Sequence, residues 1–428
     1  MSSLELTTSR LIADFVIEHA DAIVTSTGSA PKRGAAQRDL VTLRDAIVAS
    51  RNGIIVYAGT ATDAATAIEV GADATRVDAT GCTVIPGFVD PHTHVVFAGN
   101  RLDELRRRLW GATYEDIARM GGGIAATVQA TRAASEDDLV EAARVRLDEM
   151  LEQGTTTCEA KSGYGLTAAS ELKMLRAIKA LDASHAIDIV PTFMGAHDIP
   201  AALRDRREDY IATVTEEMIP EVAAGGLAAW CDVFCDRGYF TPQESIAILE
   251  AGKRAGLRPR LHADELASSG GCRVAAAVGA RSADHLIHVD QEGADTLARA
   301  DVCAVLLPIA AFYLKLGRFA PARMLIDRNV PVALATDVNP GGGYSPSMPF
   351  AIALACFAMH MTLEESIVAA TINAAWSLGL DHRAGSLETG KFMDAVLIRG
   401  TLADVIRVNG RAPHAVIKRG RVVVTRAH

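Results

Sequence analysis

A (β/α)8 TIM-type barrel joined to a small β-sandwich domain is the α/β fold predicted for this chain of 428 residues. Three observations lead there. Between residues 85 and 385, short apolar segments alternate with longer amphipathic ones, the pattern that βα units impose. Eight such apolar segments can be counted, the number that closes a barrel of this kind. The two chain ends resemble each other and differ from the middle, with β-branched runs around Asn-Gly and Arg-Gly turns.

At the ends, residues 40–60 read as short strands around Asn52-Gly53, and residues 394–428 do the same around Asn409-Gly410 and Arg419-Gly420. A hairpin with one apolar face needs a partner to bury it. Residues 1–84 plus 386–428 are therefore expected to form one composite β domain, and residues 85–385 the barrel. The barrel strands are TVIPGFVDPHTH, TTTCEAKS, IDIVPTFMGAH, AAWCDVFCD, RPRLHADE, SADHLIH, CAVLLP and VPVALATD. Between them, SEDDLVEAARVRLDEMLEQ (135–153) and TPQESIAILEAGKRAG (241–256) open on a Ser or Thr cap followed by acids and close at or near Gly, as helices do. A doubly wound sheet is the alternative. No glycine fingerprint follows the first strand, however, and Gly121–Gly123 reads as a helix stop.

Composition narrows the function. Hydrophobic residues make up 49% of the chain, enough for a large core, and the net charge of −9 offers no basic face to nucleic acid. A small-molecule substrate is expected. The first residues lack a cationic start followed by an apolar core, and VCAVLLPIAAFYL (302–314) is too short to span a bilayer and contains Pro308. The expectation is a soluble cytoplasmic protein without a membrane partner. Seven cysteines in apolar segments suit a reducing compartment, and Cys231 and Cys235 in CDVFC lack a second pair at zinc-ribbon spacing and read as core.

The chemistry concentrates where strands end. In VIPGFVDPHTHVVFAGNR (84–101), His92 and His94 lie two apart at the end of a strand, so both side chains leave one face and can converge on one ion. His197 ends the third strand, His262 with Asp264 and Glu265 the fifth, His285 the sixth and Asp337 the eighth. Burying such groups is costly unless they are paired or metal-bound, and convergence at the barrel's C-terminal mouth explains them together. Three neutral imidazoles and a carboxylate suit zinc or iron with an open position for water, which assigns His92, His94, His262 and Asp337 as ligands. Water activated there becomes a nucleophile. Asp337 is placed to accept its proton, Glu265 lies beside the reacting atom, and His285 stabilises or protonates developing charge. His288 carries no motif and reads as surface.

The segments PGFVDPHTHVVFAGNR, GATYEDIARMGGGI, EAKSGYGL, TFMGAHDIP, DVFCDRGYF, LHADELASSGG, ADHLIH, ALATDVNPGG, TINAA and GSLETGK occur in this order. In them the chain resembles the amidohydrolase superfamily and, within it, the imidazolonepropionase family over nearly its full length. That resemblance implies hydrolysis of the ring amide of 4-imidazolone-5-propanoate to N-formimidoyl-L-glutamate, a step of histidine degradation, on one zinc or iron ion per subunit. It implies the same four ligands, Glu265 as acid-base, His285 as its partner, and substrate contacts from Arg101, Tyr114, Tyr164, His197, Asn339, Gly341 and Gly342. The chemistry agrees, since a propanoate tail suits the planar fork of Arg101. Lys161 raises the possibility of a carbamylated lysine bridging two metals, but in dinuclear relatives that bridge lies on strand four, where AAWCDVFCD has no lysine. A single ion is expected.

The chain departs from the family pattern at Gly342, where Ser or Thr is usual, at Leu105 and Arg106, and at Asp198. None of these removes a ligand. The runner-up function is another mononuclear amidohydrolase, such as a deaminase of a nitrogen heterocycle, which would have no carboxylate tail for Arg101 to hold. A non-enzymatic barrel scaffold ranks last because all four ligands are present. Apolar surface on the barrel helices is compatible with a homodimer.

Overall fold

A computed structural model describes residues 10–112, 122–408 and 413–426. Seven strands precede the barrel: Leu11–Ala20 (β1), Ala22–Thr25 (β2), Val41–Leu43 (β3), Ala46–Arg51 (β4), Ile54–Thr60 (β5), Ile68–Asp78 (β6) and Cys82–Pro86 (β7). The barrel strands are Phe88–Asp90 (β8), Thr155–Lys161 (β9), Asp188–Ala196 (β10), Trp230–Cys235 (β11), Arg258–Pro259 (β12) continuing as Leu261–Ala263 (β13), Ser282–His285 (β14), Cys303–Leu306 (β15) and Val332–Leu334 (β16). Ala395–Arg399 (β17), Ala415–Lys418 (β18) and Arg421–Thr425 (β19) follow.

The central sheet runs β16-β15-β14-β13-β11-β10-β9-β8, with every pair parallel. The seam between its two edges is closed past the strand ends, where His94 N donates to Val338 O (2.8 Å) and Asp337 N to His92 O (3.1 Å). Asp90 reinforces the seam by accepting from the backbone N and the hydroxyl of Thr336. The eight expected strands thus all take part, with one difference. The first is split: TVIP belongs to β7, which pairs antiparallel with β17 and parallel with β2, and only FVD enters the barrel. Gly87 makes the crossing. A Cβ there would lie 2.3 Å from Thr156 Oγ1, so only glycine lets the chain pass so close to β9.

Helices cover the barrel as the caps predict. Ser135 and Asp138 form a capping box for Glu136–Glu152, and Thr241 with Glu244 one for Pro242–Arg254. Leu139, Ala143, Leu147 and Met150 recur at helical spacing and are buried against the sheet. Gly123, expected within a helix stop, instead precedes the helix Ile124–Ala133 at φ +77, while Gly121 lies outside the described residues. Asn409-Gly410 also lies outside them.

Two further sheets come from the chain ends, ordered β5-β4-β1-β6 and β19-β18-β17-β7-β2-β3. Their facing sides share one apolar cluster, Phe15, Ile17, Val48 and Ile55 from the first sheet meeting Ile23, Val84, Ala395, Leu397 and Ile417 from the second. Cys231 and Cys235 are buried on β11, and all seven cysteines are free thiols. Among the described residues no helix is long and apolar enough to cross a membrane.

Candidate active site

The ends of β8, β13 and the segment after β16 bring His92, His94, His262 and Asp337 together at the C-terminal mouth of the barrel. His94 Nε2 and His262 Nε2 lie 3.3 Å apart, and Asp337 Oδ1 stands 3.6 Å from His92 Nε2 and 3.9 Å from His94 Nε2. Ligands held ~2.1 Å from one ion at tetrahedral angles lie roughly 3.4 Å apart, so the spacing fits a single ion. The buried Nε2 of His92 has no hydrogen-bond partner. An unpaired buried imidazole nitrogen aimed at two others is costly without a cation between them.

The proton positions support the same geometry. His92 Nδ1 is 2.6 Å from Asp284 Oδ2, and His262 Nδ1 is 3.0 Å from Asp232 Oδ1. Each carboxylate accepts a hydrogen bond from Nδ1–H, which fixes the tautomer and leaves Nε2 as a lone pair for a metal. Burial holds His92 and His94 well below the usual imidazole range, keeping both neutral. Burial also pushes the Asp337 carboxyl up to about 8 in the absence of an ion. The donor set therefore fits a metal ion.

A cavity opens onto this cluster. Its walls include His94, His262, Asp337, Glu265, His285, Arg101, Tyr164, His197, Asn339, Gly341 and Gly342, eleven of the residues expected at the site. His92 lies beneath it with no exposed surface, and Tyr114 lies outside the described residues. Ile124, Phe234, Tyr239, Leu266 and Leu314 supply apolar wall that the motifs did not indicate.

Glu265 is buried beside the cluster, its Oε1 3.6 Å from His285 Nδ1. Burial, then the nearby Asp337 and Asp236 carboxylates, push its carboxyl well above the usual range. His285 adopts φ +73 at the end of β14, and its ring nitrogen comes close enough to those of His92 and His262 to reach the same centre. His197 donates from Nδ1 to Gly163 O (3.0 Å), stacks on His94 at 4.9 Å between ring centroids, and is pushed down to about 3 by burial. It is a neutral acceptor at Nε2. Arg101 is 7% exposed, and its Nε donates to Glu104 Oε2 (2.7 Å), which orients the guanidinium. Gly341 packs against that guanidinium so closely that a Cβ would lie 2.3 Å from Nη1. Asn339 spends its amide on the loop: Oδ1 accepts from Gly341 N and Gly342 N, and Nδ2 donates to Asp337 O. Asp264, two residues after His262, turns away and accepts from Ser269 N (2.7 Å) and Gly271 N (3.3 Å). His288 is half-buried, 3.3 Å from Arg318.

Several supports escape sequence reading. Asp232 and Asp284 orient two of the imidazoles. Asp236 accepts from Glu265 N (2.7 Å) and Leu266 N (2.8 Å), fixing the turn that carries the acid. Glu171 accepts from Gly163, Gly165 and Leu166 N and so holds the loop that bears Tyr164. Arg108, 5% exposed, donates to Gly341 O and Tyr313 O across the mouth. The signal available in the sequence was a carboxylate amid apolar strand residues, as in CDVFC and SADH.

Known proteins resemble this chain in sequence and fold. The amidohydrolase family profile matches residues 83–423. The chain is 46% identical to an imidazolonepropionase of Symbiobacterium thermophilum over 96% of its own length and 97% of the relative's. It is 47% identical to one of Geobacillus thermodenitrificans over 95% and 97%. A zinc-bound adenosine deaminase from Xanthomonas campestris shares the fold at a TM-score of 0.69 and 18% identity, covering 97% of this chain and 94% of that one. Sequence matches of this extent run through both the barrel and the terminal sheets, and on them the chain belongs to the amidohydrolase family and, within it, to the imidazolonepropionases.

Proposed function

We propose that this protein hydrolyses the ring amide of 4-imidazolone-5-propanoate to N-formimidoyl-L-glutamate in histidine degradation, with one zinc or iron ion per subunit held by His92, His94, His262 and Asp337. The observation that carries this reading is a set of metal-competent nitrogens and a carboxylate at the floor of a cavity whose wall holds a buried arginine. The ion supplies Lewis acidity and a water of lowered pKa. Arg101, steered by Glu104, takes the propanoate tail in a bidentate pair. His197 accepts a ring N–H at Nε2, and Tyr164 closes the wall beside it.

The proton steps fall to two carboxyl groups and an imidazole. Asp337 accepts the proton of the attacking water. Glu265, whose carboxyl burial pushes up, delivers a proton to the ring nitrogen as the C–N bond breaks, and His285 stabilises charge developing on the carbonyl oxygen. Asn339 with Gly341 and Gly342 shapes the product side through its loop bonds. Residues 1–84 with 386–428 serve as one composite unit joined to the barrel, and the cytoplasm suits a chain with seven free thiols.

The competing reading is a deaminase of a nitrogen heterocycle, which uses the same donor set. A neutral base leaves Arg101 without a ligand. The test supplies metal-loaded protein with freshly generated imidazolonepropanoate and, separately, with guanine and cytosine. Loss of substrate absorbance with formation of formimidoylglutamate is expected. Ammonia release from a base, with the imidazolone untouched, would overturn the assignment.

A further inference from the structure

The Lys161 side chain has no exposed surface and lies outside the cavity wall. Its Nζ donates to Glu159 Oε1 (2.6 Å) and Asp232 Oδ2 (2.7 Å) and stands 3.9 Å from Asp284 Oδ2. An ammonium engaged in this way is paired on the spot and unavailable as a bridge between metals. The remaining oxygens of its partners give it a task. Asp232 Oδ1 accepts from both the backbone N (3.2 Å) and Nδ1 (3.0 Å) of His262. Glu159 Oε2 accepts from the backbone N of Thr93 (3.1 Å), the residue between His92 and His94, and the Thr93 hydroxyl donates to Glu159 O (2.6 Å). The backbone N of Lys161 itself donates to Thr93 O (3.0 Å). A carboxylate held at both oxygens is fixed about its last torsion, and whatever hangs from it is fixed as well.

We infer that Lys161 is a positioning residue for metal uptake: through Glu159 and Asp232 it holds the His92–Thr93–His94 segment and the His262 ring in register, and it touches no reacting atom. The inference rests on the proposed ligand set. Electrostatics alone predicts the opposite sign, because an ammonium near a cation repels it and its removal would tighten binding. Loss of positioning loosens binding.

The experiment uses the full-length protein and Lys161→Met, which keeps the chain's reach without its charge. Zinc affinity is measured by competition with a chromophoric chelator, and ligand geometry by the visible absorption of the cobalt(II)-loaded forms. The expected result is a zinc Kd raised ~10–100-fold and an altered cobalt band. Zinc binding as tight as the wild type's, or tighter, overturns the inference. Should Lys161→Met fail to melt cooperatively, Lys161→Met/Glu159→Gln is read by the same criterion, since its amide oxygen still accepts from Thr93 and one of the two buried carboxylates deprived of the ammonium is neutralised. A wild type that takes up neither zinc nor cobalt sinks the ligand set itself, an outcome distinct from a variant that binds as well as a competent wild type.

Discussion

The Asp337 carboxyl, pushed up to about 8 by burial, is protonated near neutral pH in the metal-free protein, whereas His92 and His94 are already neutral. A ligand carboxylate must lose its proton, so below about 8 each ion taken up displaces one proton and affinity strengthens as pH rises; above about 8 the dependence levels off. Calorimetric titration of the metal-free protein in buffers of different ionisation enthalpy counts that proton, and uptake without release would contradict the placement of Asp337 in the ligand set. Arg101→Ala removes a charge-assisted pair and is expected to raise KM for the imidazolone by about 10–100-fold with kcat little changed, in steady-state kinetics at saturating metal. At this scale the chain was largely legible, because His92-x-His94 and the HADE and ATD segments carry their geometry in their own spacing. Asp232 and Asp284 were not. Their partners lie 30 and 192 residues away, and no local pattern records such a distance.

Loops and strand ends decide how precisely those side chains are held. Gly341 abuts the Arg101 guanidinium, so Gly341→Ala is expected to push the fork aside and raise KM while leaving the thermal melt near that of the wild type. A large fall in melting temperature with unchanged KM would show that the loop, not the arginine, takes up the strain. Gly87→Ala drives a methyl group to within 2.3 Å of the buried Thr156 hydroxyl and is expected to destabilise by about 1–3 kcal/mol, read by thermal or denaturant unfolding. Capping boxes at Ser135 and Thr241 made their helices legible because the cap chemistry is local. The first strand was misjudged in extent. TVIPGFVD is one apolar run in the sequence, and only the pairing of its first half with β17, more than three hundred residues later, divides it between two sheets.

For the whole molecule, His92, His94, His262 and Asp337 come from three strand ends far apart in the chain and from both sides of the barrel seam. A metal held by these four residues binds the folded state and not the unfolded one. At an ion concentration ~100 times Kd this adds roughly 2.7 kcal/mol. A chelator should lower the melting temperature and added zinc restore it; a melt indifferent to both would place the ion outside the fold's closure. The barrel and the sandwich were visible in advance because strand count and turn chemistry are periodic properties. The buried charge lattice of Glu159, Lys161, Asp232, Arg260 and Asp284 was not, since it exists only once five residues of four strands face one another.

In the proposed reaction this cavity hydrolyses an imidazolone ring with Glu265 moving the proton. Its most direct test follows loss of imidazolonepropanoate absorbance, generated freshly from urocanate, for the wild type and Glu265→Gln at equal metal content. Wild-type turnover and a fall of ~10²–10⁴-fold in kcat for the variant are predicted. Full activity in Glu265→Gln would remove Glu265 from the proton path, and no turnover by the metal-loaded wild type would contradict the substrate itself.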